Sequence, residues 1–373
     1  MKIVYFVHAV ASCWNNGNAH FLRGIGTELQ IRGHDVLFCE PQDAWSEGNL
    51  LRDHGPGALN GFRRSFPALR RVKYDPENAE LDRLTDGADL VIVHEWNAPA
   101  LVNALGSMRK RGAPFVLLFH DTHHRALSDP DSMRQFELAS YDGVLAFGGV
   151  LAEIYRRKGW ADRVWTWHEA ADTTLFYPRP AEPPDGDVVW VGNWGDEERT
   201  AELQEYLLGP VESLGLTANI FGVRYPQSAL RELTARGIFY RGWLANHAVP
   251  EIFARHRATV HVPRRPYART LRGIPTIRVF EALACGIALV SAPWDDSENL
   301  FPTDCFLMAS SGPEMGRHLR SILSDPALAK TLRENGLRAI RERHSCRHRV
   351  QELLDFYRSI KQPALPARRT EAA

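Results

Sequence analysis

Short apolar runs recur along the chain, and most are followed by a stretch with helical spacing. Residues 2–7, 34–40, 89–94, 115–119 and 143–147 have the length and apolar content of buried parallel strands. Apolar positions three and four apart fill 20–32, 100–111 and the stretch ending at Lys158, and Gly33 and Gly112 stand where helices stop. The alternation breaks at the proline-rich segment 178–186 and then restarts. Strands are predicted at 188–191, 219–221, 239–240, 259–262 and 287–292, and helices at 200–208, 228–235 and 250–255. Helical patterns at 313–323, 326–342 and 347–359 close the chain, while 41–80, rich in Pro, Gly and Arg, predicts no regular element. Strand–helix alternation on both sides of a proline-rich break predicts an α/β protein of two Rossmann-like domains facing across a cleft. The predicted division is 1–178, a linker at 179–187, 188–345, a terminal helix at 346–362 and a disordered tail at 363–373.

One stretch, residues 275–293, concentrates the unusual chemistry. Thr276 suits an N-cap, Ile277, Phe280, Leu283 and Ala284 share one helical face, and Gly286 suits a left-handed C-cap. Arg278 and Glu281 are three apart and therefore neighbours on the helix surface. Both lie near the helix start, where backbone N–H groups and the macrodipole favour an anion. Gly273 lies just upstream, in a loop that a phosphate can approach closely. Without a functional role, the same stretch reads as an amphipathic helix with a surface ion pair.

The stretch resembles the signature of the GT-B glycosyltransferases, especially retaining families with glycogen synthases and mannosyltransferases, and it is similar to the spore-maturation CgeB-like proteins. The resemblance implies a glycosyltransferase that moves a sugar from a nucleotide-diphosphate sugar to an acceptor, retaining and metal-independent, with no other cofactor. It places Glu281 on the ribose hydroxyls and the loop Gly273, Ile274, Pro275 and Thr276, with Arg278, on the diphosphate. The family's second Glu falls at Gly273, so half of its paired-Glu signature is missing. Residues 191–199 are similar to a strand-then-loop that supplies two basic residues to the diphosphate; Arg199 takes the second position and Asn193 stands in the first. Arg264, Arg265 and Arg278 are candidates for the missing counter-charge. The resemblance also implies that His120, at a strand end, contacts the donor sugar, and that Arg199 stabilises the departing diphosphate. Asn15, Asn16 and Gly17 would face acceptor or donor phosphates, and the terminal helix would cross back to the first domain.

Composition narrows the partners. Lys+Arg and Asp+Glu balance at 45 each, which argues against a nucleic-acid binder driven by charge. Basic clusters at Arg63–Arg64, Arg70–Arg71–Lys73 and 338–349 read as solvated faces, with peripheral contact to anionic lipid or acceptor as the functional alternative. Five scattered cysteines without a CxxC fit a reducing cytoplasm, and no apolar run reaches the length of a membrane span. Residues 1–13 suit a first strand better than a secretory leader. The first strand–helix turn lacks GxGxxG, which weakens a dehydrogenase reading. His120, His123 and His124 lack the pairing of a helical zinc site. Trp243, Tyr267 and Trp294 are candidates to stack on base or sugar. The expected acceptor is a carbohydrate, a lipid-linked sugar or a small molecule. The alternatives are a nucleotide-sugar epimerase of the same fold, using Glu95, Asp121 and His120, or a non-catalytic binding module.

Overall fold

The computed structural model describes residues 1–180, 183–195 and 197–362. The first domain is a seven-stranded sheet with β1 (Lys2–Phe6), β2 (Asp35–Pro41), β3 (Arg70–Tyr74), β4 (Leu90–His94), β5 (Val116–Asp121), β6 (Gly143–Ala146) and β7 (Val164–Thr166). The order is β3-β2-β1-β4-β5-β6-β7, and every pair is parallel. The second is a six-stranded sheet with β8 (Gly186–Val191), β9 (Ala218–Phe221), β10 (Phe239–Tyr240), β11 (His256–His261), β12 (Ala288–Ser291) and β13 (Leu307–Met308). Its order is β10-β9-β8-β11-β12-β13, again all parallel. Two doubly wound α/β sheets are thus the architecture, because helices cover both faces of strands that are buried throughout, as in β4. The strand order reverses between β1 and β4 and between β8 and β11, and ligands of such sheets bind outside the strand ends at these switch points.

Three local findings depart from the sequence reading. Residues 41–80 hold the helices Trp45–His54 and Asn60–Ser65 and the edge strand β3. β7 adds a short edge strand that its charged and aromatic surroundings conceal. The helix expected at 200–208 is α-helical only to Leu203, widens to a π-turn over Gln204–Leu208 and resumes as Gly209–Leu214. Pro210 explains the widening, since it lacks an N–H and crowds the carbonyl one turn back. The predicted linker at 179–187 is described except for residues 181 and 182, and the tail at 363–373 lies outside the described residues.

The last helix, Cys346–Lys361, packs on the first-domain helix Asn18–Ile31. Ser345 and His348 form a capping box at its start. The Trp167 indole N–H donates to Arg349 O at 2.9 Å, and Trp165 stacks on Phe356 at 5.1 Å. Gly24 lets the two helices touch: a Cβ there would lie 2.5 Å from Cys346 Sγ and 2.8 Å from Asp172 Cβ. Gly24→Ala should therefore cost about 1–3 kcal/mol by overpacking, read as a lowered melting temperature with unchanged ligand affinity. The domains also clasp through Glu298, whose Oε1 accepts from the Gly149 N–H at 2.7 Å and whose Oε2 lies 3.0 Å from His168 Nε2.

Candidate active site

A cavity of about 600 Å³ opens between the two sheets. Each wall is made by loops that follow strands at or next to the two switch points. From the first domain come Asn15–Asn18 after β1, Trp96 after β4, and Thr122, His123 and His124 after β5. From the second come Gly192 and Asn193 after β8, Gly222–Arg224 after β9, Arg264 after β11, and Thr276, Ile277 and Arg278 at the start of the helix Ile277–Cys285. Gly222 permits two of these loops to meet, since a Cβ there would lie 1.9 Å from Gly192 O. Asn193 Nδ2 reaches Asn15 Oδ1, so the two walls touch beside the cavity.

Basic side chains gather on the second-domain wall. The Arg199 guanidinium donates to Asn193 O at 2.8 Å, to Asn193 Oδ1 at 2.6 Å and to Val262 O at 3.1 Å, with its face over the Trp190 ring. Arg264 pairs with Glu198 at 2.7 Å. His261 lines the same wall as a neutral ring: burial, then Arg199 and Arg278, push it down to about 3. Its Nε2 lies 3.0 Å from Thr276 Oγ1. That contact takes the hydroxyl, and Thr276 makes no side-chain cap to its own helix. The helix start lines the cavity, with the Ile277 amide turned to the Glu169 carboxyl.

The expected site residues divide into two groups. Asn193, Arg199, Thr276 and Arg278 line the cavity, as do Arg264, Trp243 and Tyr267 and the loop Asn15, Asn16 and Gly17. Glu281 does not. It is fully buried behind Arg278, with Oε1 accepting from Asn246 Nδ2 at 2.6 Å and lying 3.1 Å from His20 Nδ1, and Oε2 paired with Arg278. Both oxygens accept from protein, and this arrangement does not turn the carboxylate to the cavity. Gly273, Ile274 and Pro275 also lie off the cavity wall. Gly273 has φ +82°, and a Cβ there would lie 2.8 Å from Glu298 Cγ, so the clasp residue fills the space a glutamate side chain would need. Ile274 is buried against Gly148. Arg265 pairs with Glu202, and Trp294 packs among Phe301 and Phe306.

His120 is a correction as well. Its ring is 1% exposed and packs edge-on against Trp167 and His94, away from the cavity. Burial, then His94, push it down to about 3, so it is a neutral core histidine. The wall positions belong to His123 and His124, three and four residues on, because β5 runs one residue past His120 and buries it. Sequence reasoning missed Trp45, Trp96, Glu169 and Asn246, which reach the cavity or its clasp from distant segments and carry no local motif.

Comparison with known proteins decides the family. A glycosyl transferase-like family model matches residues 199–355, and a Glycosyltransferase Family 4 model matches residues 15–175. The chain belongs to the GT-B glycosyltransferases. Solved structures agree in fold. Anabaena HepE in complex with UDP-glucose superposes with TM-score 0.68 at 14% identity, over 96% of this chain and 100% of that one. Sucrose-phosphate synthase from Thermosynechococcus elongatus gives 0.64 at 15%, over 96% and 99%. A glycosyltransferase from Rickettsia africae gives 0.66 at 10%, over 96% and 98%. A search of curated proteins finds no match to the chain. Among the described residues of this glycosyltransferase, no group of three or more His, Cys, Asp or Glu is placed to hold a metal ion, and no helix is long and apolar enough to cross a membrane.

Proposed function

We propose that this glycosyltransferase takes its sugar from a nucleoside diphosphate sugar held in the interdomain cavity, without a metal ion. The observation that carries the reading is the convergence of Arg199, Arg264 and Arg278, from three separate elements, on one wall beside the start of the helix Ile277–Cys285. A diphosphate needs that combination of fixed positive charge and backbone donors. As the sugar leaves, negative charge builds on the departing phosphate oxygen, and preorganised arginines bind it more tightly than they bind the ground state. Anabaena HepE was solved with UDP-glucose, which makes a uridine donor the first to test. The resemblance in residues 273–286 extends the proposal to retention of anomeric configuration. The acceptor, a carbohydrate, lipid-linked sugar or small molecule, would approach the first-domain wall at Trp45, Trp96 and His123.

A thermal-shift panel of UDP, GDP, ADP, dTDP and CMP sugars tests the donor. The binding member at 100 times its Kd should add about 2.7 kcal/mol of stability, and EDTA should leave that shift unchanged. A shift that vanishes with EDTA defeats the metal-free reading. An inverted anomeric proton coupling in the product defeats retention.

A further inference from the structure

One carboxyl on the cavity wall takes no part in the arginine cluster. Glu169 follows β7 in the first domain, is 6% exposed and lines the cavity. Among the described residues, no side chain pairs with it. The Ile277 amide donates toward its carboxyl, and Ile277 and Arg278 line the same cavity at the proposed diphosphate site. A group carried on that diphosphate would share the cavity with Glu169.

Three buried carboxyls meet in this region, and their surroundings give them different charges. Glu281 loses by burial but gains more from Arg278, His20 and Asn246, so it is held below the usual carboxylate range. Glu95 is likewise held low against its burial, chiefly by His94 at 2.9 Å and by Arg125, and accepts from Thr122 Oγ1 at 3.0 Å. Glu169 has no such partner. Burial, then Glu281 and Glu95, push it up to about 8, opposed by the Ile277 amide and Arg278. The other groups facing it are the Tyr267 phenol and the Cys346 thiol, both raised in part by Glu169 itself. Groups pushed apart in this way take different tasks. An ionised carboxylate only accepts hydrogen bonds, whereas a protonated carboxyl both donates and accepts. A neutral Glu169 can therefore give to one sugar hydroxyl and take from its neighbour.

We propose that Glu169 is the sugar-selecting residue of the donor site, reading a pair of adjacent hydroxyls on the sugar carried by the nucleoside diphosphate. The inference rests on the donor reading above. Its test compares wild type, Glu169→Gln and Glu169→Ala in calorimetric titrations with UDP, UDP-glucose and UDP-galactose, or with the matching set for whichever panel nucleotide binds tightest. Gln keeps one donor and one acceptor, so it should hold the sugar nucleotide within about fivefold of wild type, as a neutral carboxyl does. Ala should weaken sugar-nucleotide binding by about 10–100-fold, the scale of a buried hydrogen-bonding pair left unmatched, leave the bare nucleotide unchanged and erase discrimination between the epimers. The sugar's contribution to affinity should fall in wild type as pH rises through about 8, and stay level in Glu169→Gln.

Stability supplies a second readout. A carboxyl whose folded pKa lies above its unfolded value destabilises the fold progressively as pH rises from about 4.5 to about 8. Glu169→Gln should accordingly melt higher than wild type at pH 8 and no higher at pH 4. Ala binding sugar nucleotides as wild type does overturns the proposal. Gln failing as badly as Ala, with loss of the pH dependence of turnover, overturns it in favour of a proton carrier. A wild type that binds no sugar nucleotide overturns the donor reading and this inference together; binding that Glu169→Ala leaves intact overturns this inference alone.

Discussion

Glu281→Ala should destabilise the chain by about 3–5 kcal/mol, the range for breaking a buried ion pair by removing one partner. The carboxylate joins the two domains. His20 reaches it from the first-domain helix Asn18–Ile31, while Arg278 and Asn246 reach it from the second domain. The His20 tautomer is set by its other nitrogen, since Nε2 accepts from the Asp172 amide at 2.9 Å and Nδ1 must then carry the proton toward Glu281. Without the carboxylate, a proton on His20 and two donors on Asn246 and Arg278 face an apolar interior or each other. Glu281→Gln keeps an acceptor for His20 and Asn246 but removes the charge and turns an NH2 donor toward Arg278, so it should cost about 1–3 kcal/mol. The folded pKa of Glu281 lies below its unfolded value. Its contribution is therefore present in full above about pH 4.5 and is lost as pH falls below that, and the two variants should converge on wild type in acid. Thermal melts from pH 3 to 8 check this. An unchanged melting temperature with weakened donor binding would return Glu281 to the ribose.

The second large effect is at Arg199. Arg199→Ala should lower kcat by about 10–100-fold, equivalent to the ~1.5–3 kcal/mol of a charge-assisted hydrogen bond made to the leaving phosphate. The structure adds a second cost. Three guanidinium bonds hold Asn193 and Val262 around the loop that follows β8, and Asn193 in turn meets Asn15 across the cavity. Donor affinity should therefore fall along with kcat. Arg199→Lys should rescue poorly, because a single ammonium cannot make a planar fork of bonds while lying over Trp190. Steady-state kinetics with nucleotide titrations on the three proteins decide the matter. Full rescue by Lys would reduce Arg199 to a point charge, and an unchanged kcat with a raised KM would make it a binding residue only.

The sequence by itself determined the strand–helix alternation, the two-domain plan and the helix with its glycine stop at Gly286, which has φ +64°. These are local matters of apolar period, turn chemistry and backbone conformation, and they are written where they act. The helix in the motif around 275–286 starts on the cavity wall, and Arg199 and Arg278 line the cavity. Which face of that helix meets the cavity was decided only in three dimensions. Glu281 lies one turn beyond Arg278, and the approach of His20 and Asn246 seals it. His120 and His123 differ in the same way: one extra residue of β5 turns the first into the core and leaves the next loop on the wall. Gly273 carries no sign in the sequence that Glu298, a clasp residue 25 positions on, needs its space. Glu169 has no motif at all. Its surroundings come from β4, from the helix at Ile277 and from Tyr267, and a carboxyl's charge depends on what surrounds it rather than on what precedes it in the chain.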